Sequence, residues 1–276
     1  MNEEKISYLK EKAKELRKAA VTMIYEAQSG HPGGSLSIAD IVAALYFSEM
    51  KVDPKNPKWE DRDRFVLSKG HVCPIQYSAL GLLGFFPEEV MHTLRQEGSK
   101  LQGHPSMVKC PGIDISTGSL GQGASCAAGM ALAGKRDGKD YRVFTVVGDG
   151  EINEGIVWEA MMLANKYQLD NYIMILDNNG LQLDGTCDQI MPPLDLSAKA
   201  AAFGFEVYDI DGHDMAQILE TLDKIRDAKN GKPKFINAKT VKGKGVDYME
   251  NQLGWHGVAP NKEQYESAMA QLDRGI

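Results

Sequence analysis

The sequence predicts an α/β protein with a doubly wound, mainly parallel sheet and helices on both faces. The first observation is a pair of apolar, β-branched runs at 143–147 and 172–176, each as long as a buried strand. Between them, residues 155–164 carry apolar side chains at helical spacing, so the three segments predict a β-α-β unit. The second observation is that strand and helix patterns keep alternating towards the C-terminus, as they do in parallel sheets.

Each further element follows from local spacing or composition. Apolar residues at three- and four-residue steps predict a first helix over 6–24 that ends near 29–30. Residues 29–35 contain too many glycines and prolines for a helix or strand, so a loop with His31 at its tip is expected. The remaining predicted elements are helices at 38–50, 87–97, 197–203 and 215–228, a small-residue helix ending at 133, a short terminal helix, and strands at 64–68, 206–210 and 233–240.

Composition places the chain among ordinary globular proteins. With 276 residues, 43% of them hydrophobic and 25% charged, it can bury a substantial core, and a single domain over 1–276 is expected. A net charge of -7 without a basic block argues against nucleic acid as a partner. No apolar run is long enough for a signal core or a membrane span, so a cytoplasmic protein without membrane partners is expected. The four cysteines are far apart and predict buried free thiols, with neither zinc nor disulfides.

Polar residues follow both strands of the β-α-β unit, Gly148-Asp149-Gly150 after the first and Asn179 after the second. Either segment alone would be an ordinary turn, but parallel strands end at one edge of the sheet, where Asp149 and Asn179 should meet. A carboxylate and an amide oxygen, with a backbone carbonyl from the following loop, form a partial set of the ligands that Mg²⁺ takes together with phosphates. The two glycines leave room for a diphosphate, and the helix that begins after Glu154 favours the same anion.

Four of the six histidines lie in loops flanked by glycine or proline: His31, His71, His104 and His256. Two of these loops directly follow a predicted strand. Ligands of open α/β sheets bind at that edge, so a shared polar pocket is favoured over four separate structural placements. Downstream, Lys242 belongs to a small basic cluster after the last strand, which either faces a phosphate or is simply solvated.

Taken in order, these motifs resemble those of transketolases. The stretch 148–155, followed by Asp177-Asn178-Asn179, resembles the thiamine diphosphate motif. The other segments that occur in transketolase order are Ser29-Gly30-His31-Pro32-Gly33, Ser68-Lys69-Gly70-His71, Gly103-His104-Pro105, the stretch 116–123, and Trp255-His256-Gly257. The resemblance covers nearly the whole chain and implies a thiamine diphosphate-binding fold of the diphosphate type.

The resemblance also implies a cofactor site, residue by residue. It implies that Asp149, Asn179 and the carbonyl of Leu181 bind Mg²⁺, for which Ca²⁺ or Mn²⁺ could substitute. Other thiamine diphosphate contacts are implied for His71, Gly150 and His256, at the diphosphate, and for the backbone of Gly118 and Leu120, at the aminopyrimidine.

The implied activity is the transfer of a two-carbon ketol unit from a ketose phosphate to an aldose phosphate, with pentose phosphates as the default substrates. By resemblance, His31, His104 and His256 surround the reacting sugar hydroxyls, and Glu154 is the interface glutamate that links the two cofactor sites of a dimer. Histidines suit proton transfer because their pKa lies near the working pH.

A departure from the family concerns the chain's extent. Single-chain transketolases continue with a pyrimidine-binding domain, which carries the glutamate that activates the cofactor, and with a C-terminal domain. This sequence ends at Ile276, so the resemblance implies the N-terminal subunit of a split transketolase, paired with a separate C-terminal subunit in an α₂β₂ assembly. Lys242 also departs from many relatives, which carry an apolar residue there, and leaves the substrate preference open.

Two alternative functions remain. Another thiamine diphosphate enzyme, such as a deoxyxylulose-phosphate synthase or a 2-oxoacid dehydrogenase component, would share the metal motif, but the segments around His31 and His256 favour ketol transfer. The second alternative is a non-catalytic cofactor-binding half. Such a protein would be expected to lack the catalytic histidines, and the sequence contains them all.

Overall fold

A five-stranded sheet forms the centre of the computed structural model, which describes residues 2–275. The strands are β1 (Arg64–Leu67), β2 (Val143–Gly148), β3 (Tyr172–Asn178), β4 (Glu206–Asp211) and β5 (Lys234–Lys239). They are all parallel, in the order β1-β2-β3-β5-β4. Strands β1, β2 and β3 therefore end at the same edge of the sheet, as the β-α-β pattern predicts.

Helices cover both faces of the sheet. They are α1 (Glu3–Ala27), α2 (Pro32–Ser37), α3 (Ala39–Ala44), α4 (Cys73–Leu83), α5 (Gln122–Arg136), α6 (Gly155–Lys166), α7 (Cys187–Ile190), α8 (Leu196–Ala202), α9 (Met215–Asp227) and α10 (Lys262–Arg274). Helices α1, α3, α4 and α9 share a buried core with one face of the strands, which includes Phe144 and Ile175. Helices α5, α6 and α8 share a second core with the other face, which includes Val143 and Met174. The predicted doubly wound α/β fold is confirmed.

The loop expected at 29–35 is wrong in part, because its second half is helical. Pro32 occupies the first turn of α2, where its missing N–H costs no hydrogen bond, and His31 is the residue that precedes the helix, not a loop tip. The glycines of this helix allow close packing: a Cβ on Gly33 would lie 2.8 Å from the carbonyl oxygen of Trp255. A Gly-Pro-rich stretch here is a buried helix start rather than an exposed connection.

Three other predictions need correction. The helix expected at 38–50 begins at Ala39, is α-helical only as far as Ala44 and continues as a π-helix at Leu45–Glu49. The segment 87–97 forms only a 3₁₀ helix, Glu88–Thr93, before Arg95 adopts a positive φ of 60°. Helix α4 has no amphipathic signal because nearly all of its residues are buried, so periodicity does not reveal it. Among the cysteines, Cys126 is exposed, while the other three are buried free thiols.

No helix within residues 2–275 combines the length and the apolar character that a membrane span requires.

Candidate active site

A cavity of about 460 Å³ opens where β1, β2 and β3 end. Six of the side chains and backbone segments predicted to form the site line it, namely His31, His71, His104, Gly118, Leu120 and His256. Four more, Asp149, Gly150, Asn179 and Leu181, lie in its wall beside them. Glu154 does not line the cavity: it is exposed and precedes the first residue of α6. The structure therefore brings together all the predicted site residues except that glutamate.

Asp149 and Asn179 occupy adjacent strand ends, and their oxygens form one corner of the cavity. The carboxylate of Asp149 accepts hydrogen bonds from the backbone N–H groups of Gly150 (2.9 Å) and Gly180 (2.5 Å). The amide Nδ2 of Asn179 donates to Asp177 Oδ2 at 2.9 Å, and the ionised carboxylate can only accept, which fixes the orientation of the amide. Its oxygen Oδ1 faces the other way and accepts from the N–H of Leu181 at 3.2 Å. The donors present are therefore hard oxygens, the type that Mg²⁺ prefers.

The electrostatics of Asp149 also fit a bound cation. Burial, followed by the nearby charge of Asp177, raises the pKa of Asp149 to about 6. A buried carboxylate with so little compensation is stabilised by a positive charge placed against it. The residues present thus fit a divalent ion, although a conventional cluster of three or more His, Cys, Asp or Glu ligands is absent from the described part of the chain.

Asp177 is a fully buried residue at the end of β3 that holds this corner in place. Its carboxylate accepts hydrogen bonds from Ser37 Oγ (2.7 Å), from Asn179 and from Thr240, and it pairs with Lys69 Nζ at 2.5 Å. Although burial opposes ionisation, the charge of Lys69 and these donors keep the pKa of Asp177 below its usual value. The sequence motifs contain both Lys69 and Asp177, but spacing alone does not reveal that they pair across 108 positions.

A second buried carboxylate, Glu151, ties three loops of the site together. Its Oε1 accepts from Ser68 Oγ at 2.6 Å and from the N–H of Gly121 at 2.8 Å, while Oε2 accepts from the N–H of Gly148 at 3.0 Å. Burial raises the pKa of Glu151. Sequence analysis does not find this residue because a glutamate between two turns is ordinarily exposed.

Three histidine rings form a compact group on the other side of the cavity. The ring centroids of His31 and His71 are 4.9 Å apart, those of His31 and His256 5.4 Å, and those of His71 and His256 5.3 Å. Burial, reinforced by nearby positive groups, lowers the pKa of His31 and His256 to about 4 and that of His71 to about 2. Burial also lowers the pKa of His104. At neutral pH these rings are uncharged and can each both donate and accept a hydrogen bond.

Two polar atoms and two glycines support the fit of a phosphate-bearing ligand. His31 Nδ1 and Gln182 Nε2 are buried and have no hydrogen-bond partner within residues 2–275. A Cβ on Gly150 would lie 3.2 Å from Gln182 Cγ, so a side chain here would crowd Gln182 in the cavity wall. Gly118 has a φ of 150° and lies against the ring of His104. Gln182 is a lining residue that no motif of the sequence singles out.

Lys242 forms part of the cavity wall. Of the two alternatives for its basic cluster, a phosphate contact or simple solvation, the structure excludes solvation for this side chain. It is 2% exposed, and its Nζ lies 3.0 Å from Nδ1 of His256 and 3.5 Å from the carbonyl oxygen of Gln182. Burial lowers the pKa of Lys242. The site therefore contains two buried lysines, Lys69 paired with Asp177 and Lys242 beside His256.

The parallel sheet and this cavity define an α/β domain whose strand ends carry side chains that fit a phosphate-bearing ligand and a divalent ion. Residues 9–273 match the family model described as "Transketolase, thiamine diphosphate binding domain". The chain belongs to this family.

Curated relatives of similar length agree with this membership. The 6-deoxy-6-sulfo-D-fructose transketolase subunit SqwG of a Clostridium species is 44% identical over 99% of both chains. One of the subunits of the apulose-4-phosphate transketolase of Phocaeicola vulgatus is also 44% identical, over 94% of this chain and 92% of its own.

Solved structures show the same fold in longer proteins. The transketolase of Campylobacter jejuni superposes with a TM-score of 0.92 at 37% identity, and that of Leishmania mexicana with 0.91 at 31%. The match with the Campylobacter transketolase includes 99% of this chain but only 43% of the Campylobacter chain.

Proposed function

We propose that this chain is the N-terminal subunit of a two-chain transketolase. It would transfer a two-carbon ketol unit from a ketose phosphate to an aldose phosphate with thiamine diphosphate and Mg²⁺. The observation that carries the proposal is the meeting of the neutral histidine group with the Asp149–Asn179 corner around one cavity. This combination supplies both an anchor for a metal-bound diphosphate and proton-transferring groups beside it.

In this proposal the cofactor is held mainly from the strand ends. Asp149, Asn179 and the carbonyl of Leu181 would hold Mg²⁺, and the glycine at 150 would leave room for the diphosphate next to them. His71 and His256 would donate to diphosphate oxygens. The backbone of Gly118 and Leu120 would contact the aminopyrimidine. When bound, thiamine diphosphate supplies the electron sink for cleavage and formation of the C–C bond.

The histidines supply the proton transfers of the proposed reaction. His31, His104 and His256 line the same cavity as the metal corner, and each is neutral at pH 7 because burial lowers its pKa. A neutral imidazole nitrogen can take the proton of a sugar hydroxyl and return it from the same edge. Keeping these rings uncharged also avoids repulsion with Lys69 and Lys242.

The proposed enzyme is active only with a partner subunit that carries the pyrimidine-binding half. Two observations support this: the two relatives that span nearly the whole chain are named as subunits, and the Campylobacter transketolase is more than twice as long. We infer an α₂β₂ assembly in the cytoplasm in which residues 1–276 form a single domain. Glu154, exposed at the start of α6, is the residue proposed to link the two cofactor sites.

The donor and acceptor sugars are to be identified by assaying several candidate substrates. Pentose phosphates are the default donors and acceptors, while the names of the relatives add 6-deoxy-6-sulfo-D-fructose and apulose 4-phosphate. These sugars share an anionic group at the end away from the reacting carbonyl. We propose that an anionic ketose is the donor and an anionic aldose the acceptor.

The test is ketol transfer measured for this chain alone, for its candidate partner alone, and for the mixture, each with Mg²⁺ and thiamine diphosphate. Xylulose 5-phosphate with ribose 5-phosphate is tried first, followed by the other ketoses. Activity in the mixture only, and its loss in a mixture containing Asp149→Ala, is the expected result. Full activity of the chain alone would contradict the split-enzyme proposal. A mixture that binds the cofactor but converts none of these sugars would contradict the proposed reaction.

A further inference from the structure

Lys242 is the buried lysine whose position the proposed cofactor contacts do not explain. Its backbone is fixed on both sides, since the N–H of Gly243 donates to the carbonyl of Gly33 at 2.9 Å and the N–H of Asn251 donates to the carbonyl of Lys242 at 2.9 Å. Its stem packs so closely on Gly33 that a Cβ there would lie 3.0 Å from Lys242 Cγ. The ammonium group is thereby delivered to Nδ1 of His256 at 3.0 Å.

We propose that Lys242 is a positioning residue that fixes His256 in the tautomer with its proton on Nε2, so that this histidine presents an N–H donor to the cavity. An ammonium group has three donors and no acceptor, so a hydrogen bond with Nδ1 requires that Nδ1 accept. The ring proton must then sit on Nε2, for which no protein partner is found within residues 2–275. That this N–H donates to an oxygen of the cofactor or the substrate rests on the proposed function.

The surrounding charges keep this arrangement stable. The titratable groups that face the pair from neighbouring elements are Lys69, Asp149, Asp177, Cys187, His31 and His71. The carboxylates of Asp149 and Asp177 favour the ammonium form of Lys242 and oppose the effects of burial and of Lys69. A second proton on His256 would place two positive donors 3.0 Å apart, which is unfavourable. Burial and then Lys242 accordingly lower the pKa of His256 to about 4.

This role replaces, for His256 alone, the proton transfer that the proposed function assigns to it together with His31 and His104. A histidine locked by a lysine at Nδ1 cannot relay a proton through the ring, because Nδ1 has no proton to lose and no acceptor beside it. Its cavity edge acts instead as a fixed donor towards an oxygen that carries negative charge. The geometry therefore distinguishes two of the histidines: His256 is a fixed donor, whereas Nδ1 of His31 has no hydrogen-bond partner within the described chain.

The experiment is nitrogen NMR of the full chain labelled at histidine, with the His256 signals assigned by comparison with His256→Gln. In the wild type at pH 7, Nε2 should carry the proton and Nδ1 should not. In Lys242→Met, the pKa of His256 should rise by about one unit or more, because a like charge beside the ring is removed. Lys242→Arg should restore the low pKa.

Lys244→Met is the matched control, because Lys244 lies two residues away, pairs with Glu250 at 3.3 Å and does not line the cavity. It should leave both the tautomer and the pKa of His256 unchanged. A wild-type proton on Nδ1, or an unchanged pKa in a folded Lys242→Met variant, would overturn the inference. These readouts need neither partner nor activity, so they stand even if the ketol-transfer assay contradicts the proposed function. In an active mixture, Lys242→Met should lower kcat more than Lys242→Arg does.

Discussion

Replacing Lys69 by methionine should destabilise the chain because it leaves Asp177 buried without its charge partner. Lys69 is 3% exposed and Asp177 is fully buried, so water cannot take the place of the ammonium group. Loss of one partner from a buried ion pair costs about 3–5 kcal/mol. Ser37, Thr240 and Asn179 still donate to the carboxylate, which places the expected loss at the lower end, about 3 kcal/mol.

The pH dependence of that loss separates a charge effect from a packing effect. In the wild type the pKa of Asp177 is lowered, so its contribution to stability is present above the unfolded pKa of about 4 and is lost as the pH falls through the lower folded value. In Lys69→Met the folded pKa should rise above the unfolded value, so the penalty is absent at low pH and grows as the pH increases. The difference between the two proteins should therefore be largest at pH 7 and shrink towards about pH 4.

Urea unfolding of both proteins at these two pH values, followed by circular dichroism, measures the difference. Lys224→Met is the control, since the side chains of Lys224 and its partner Glu220 are 58% and 55% exposed and the loss of this pair should cost less than about 1 kcal/mol. Adding Asp177→Asn to Lys69→Met should recover part of the stability by removing the stranded charge. A loss below about 1 kcal/mol at pH 7, or the same loss at both pH values, would refute this account of the pair.

Three further predictions concern the metal corner, the close packing of α5 and the neutral histidines. Asp149→Ala and Asn179→Ala should each weaken Mg²⁺-dependent cofactor binding in calorimetry by at least about 10-fold, the loss that removal of an outer-shell partner already causes, and tight binding by both variants would contradict the metal assignment. Gly123→Ala should lower the free energy of unfolding by about 1–3 kcal/mol, because the new Cβ would lie 2.7 Å from Ser68 Cα. Gly129→Ala should raise it by about 0.5–1 kcal/mol, because no atom lies within 4 Å of the new Cβ. Equal urea midpoints for the two variants would refute this contrast. Because the folded pKa values of His31, His71 and His256 are lowered, stability should be complete above the unfolded value of about 6.5 and fall as the pH drops towards about 4. His71→Gln should flatten this fall in urea unfolding, and an unchanged slope would count against a buried neutral ring.

The fold could be predicted because its central strands have a clear sequence signal. The runs at 143–147 and 172–176 are apolar, are bounded by turn residues, and enclose a helix with clear spacing, so the parallel register follows from handedness alone. Helix α2 could not be found in the same way, because glycine and proline ordinarily end helices. Its formation depends on contacts from Trp255 and Val72, which lie far along the chain.

The site was predictable where it depends on strand ends and motif order, and not where it depends on burial. Asp149, Asn179 and the loop histidines follow strands or turns, so topology gathers them. Glu151, Lys69 and Lys242 are charged residues that a sequence places at the surface by default. Only the three-dimensional packing of the loops encloses them and gives each a specific partner.

The two aspartates at the ends of β2 and β3 explain how one site both fixes its geometry and remains receptive to a cation. Asp177 is satisfied within the protein: a lysine, two hydroxyls and an amide all donate to it, and its pKa is lowered. Asp149 has backbone donors but forms no ion pair within residues 2–275, and its pKa is raised. Lys69 pairs with Asp177 at 2.5 Å, so Asp149 is left without an ion-pair partner within the described residues. A cation bound at Asp149 would supply that partner, and Asp177 would keep the oxygen of Asn179 turned towards it.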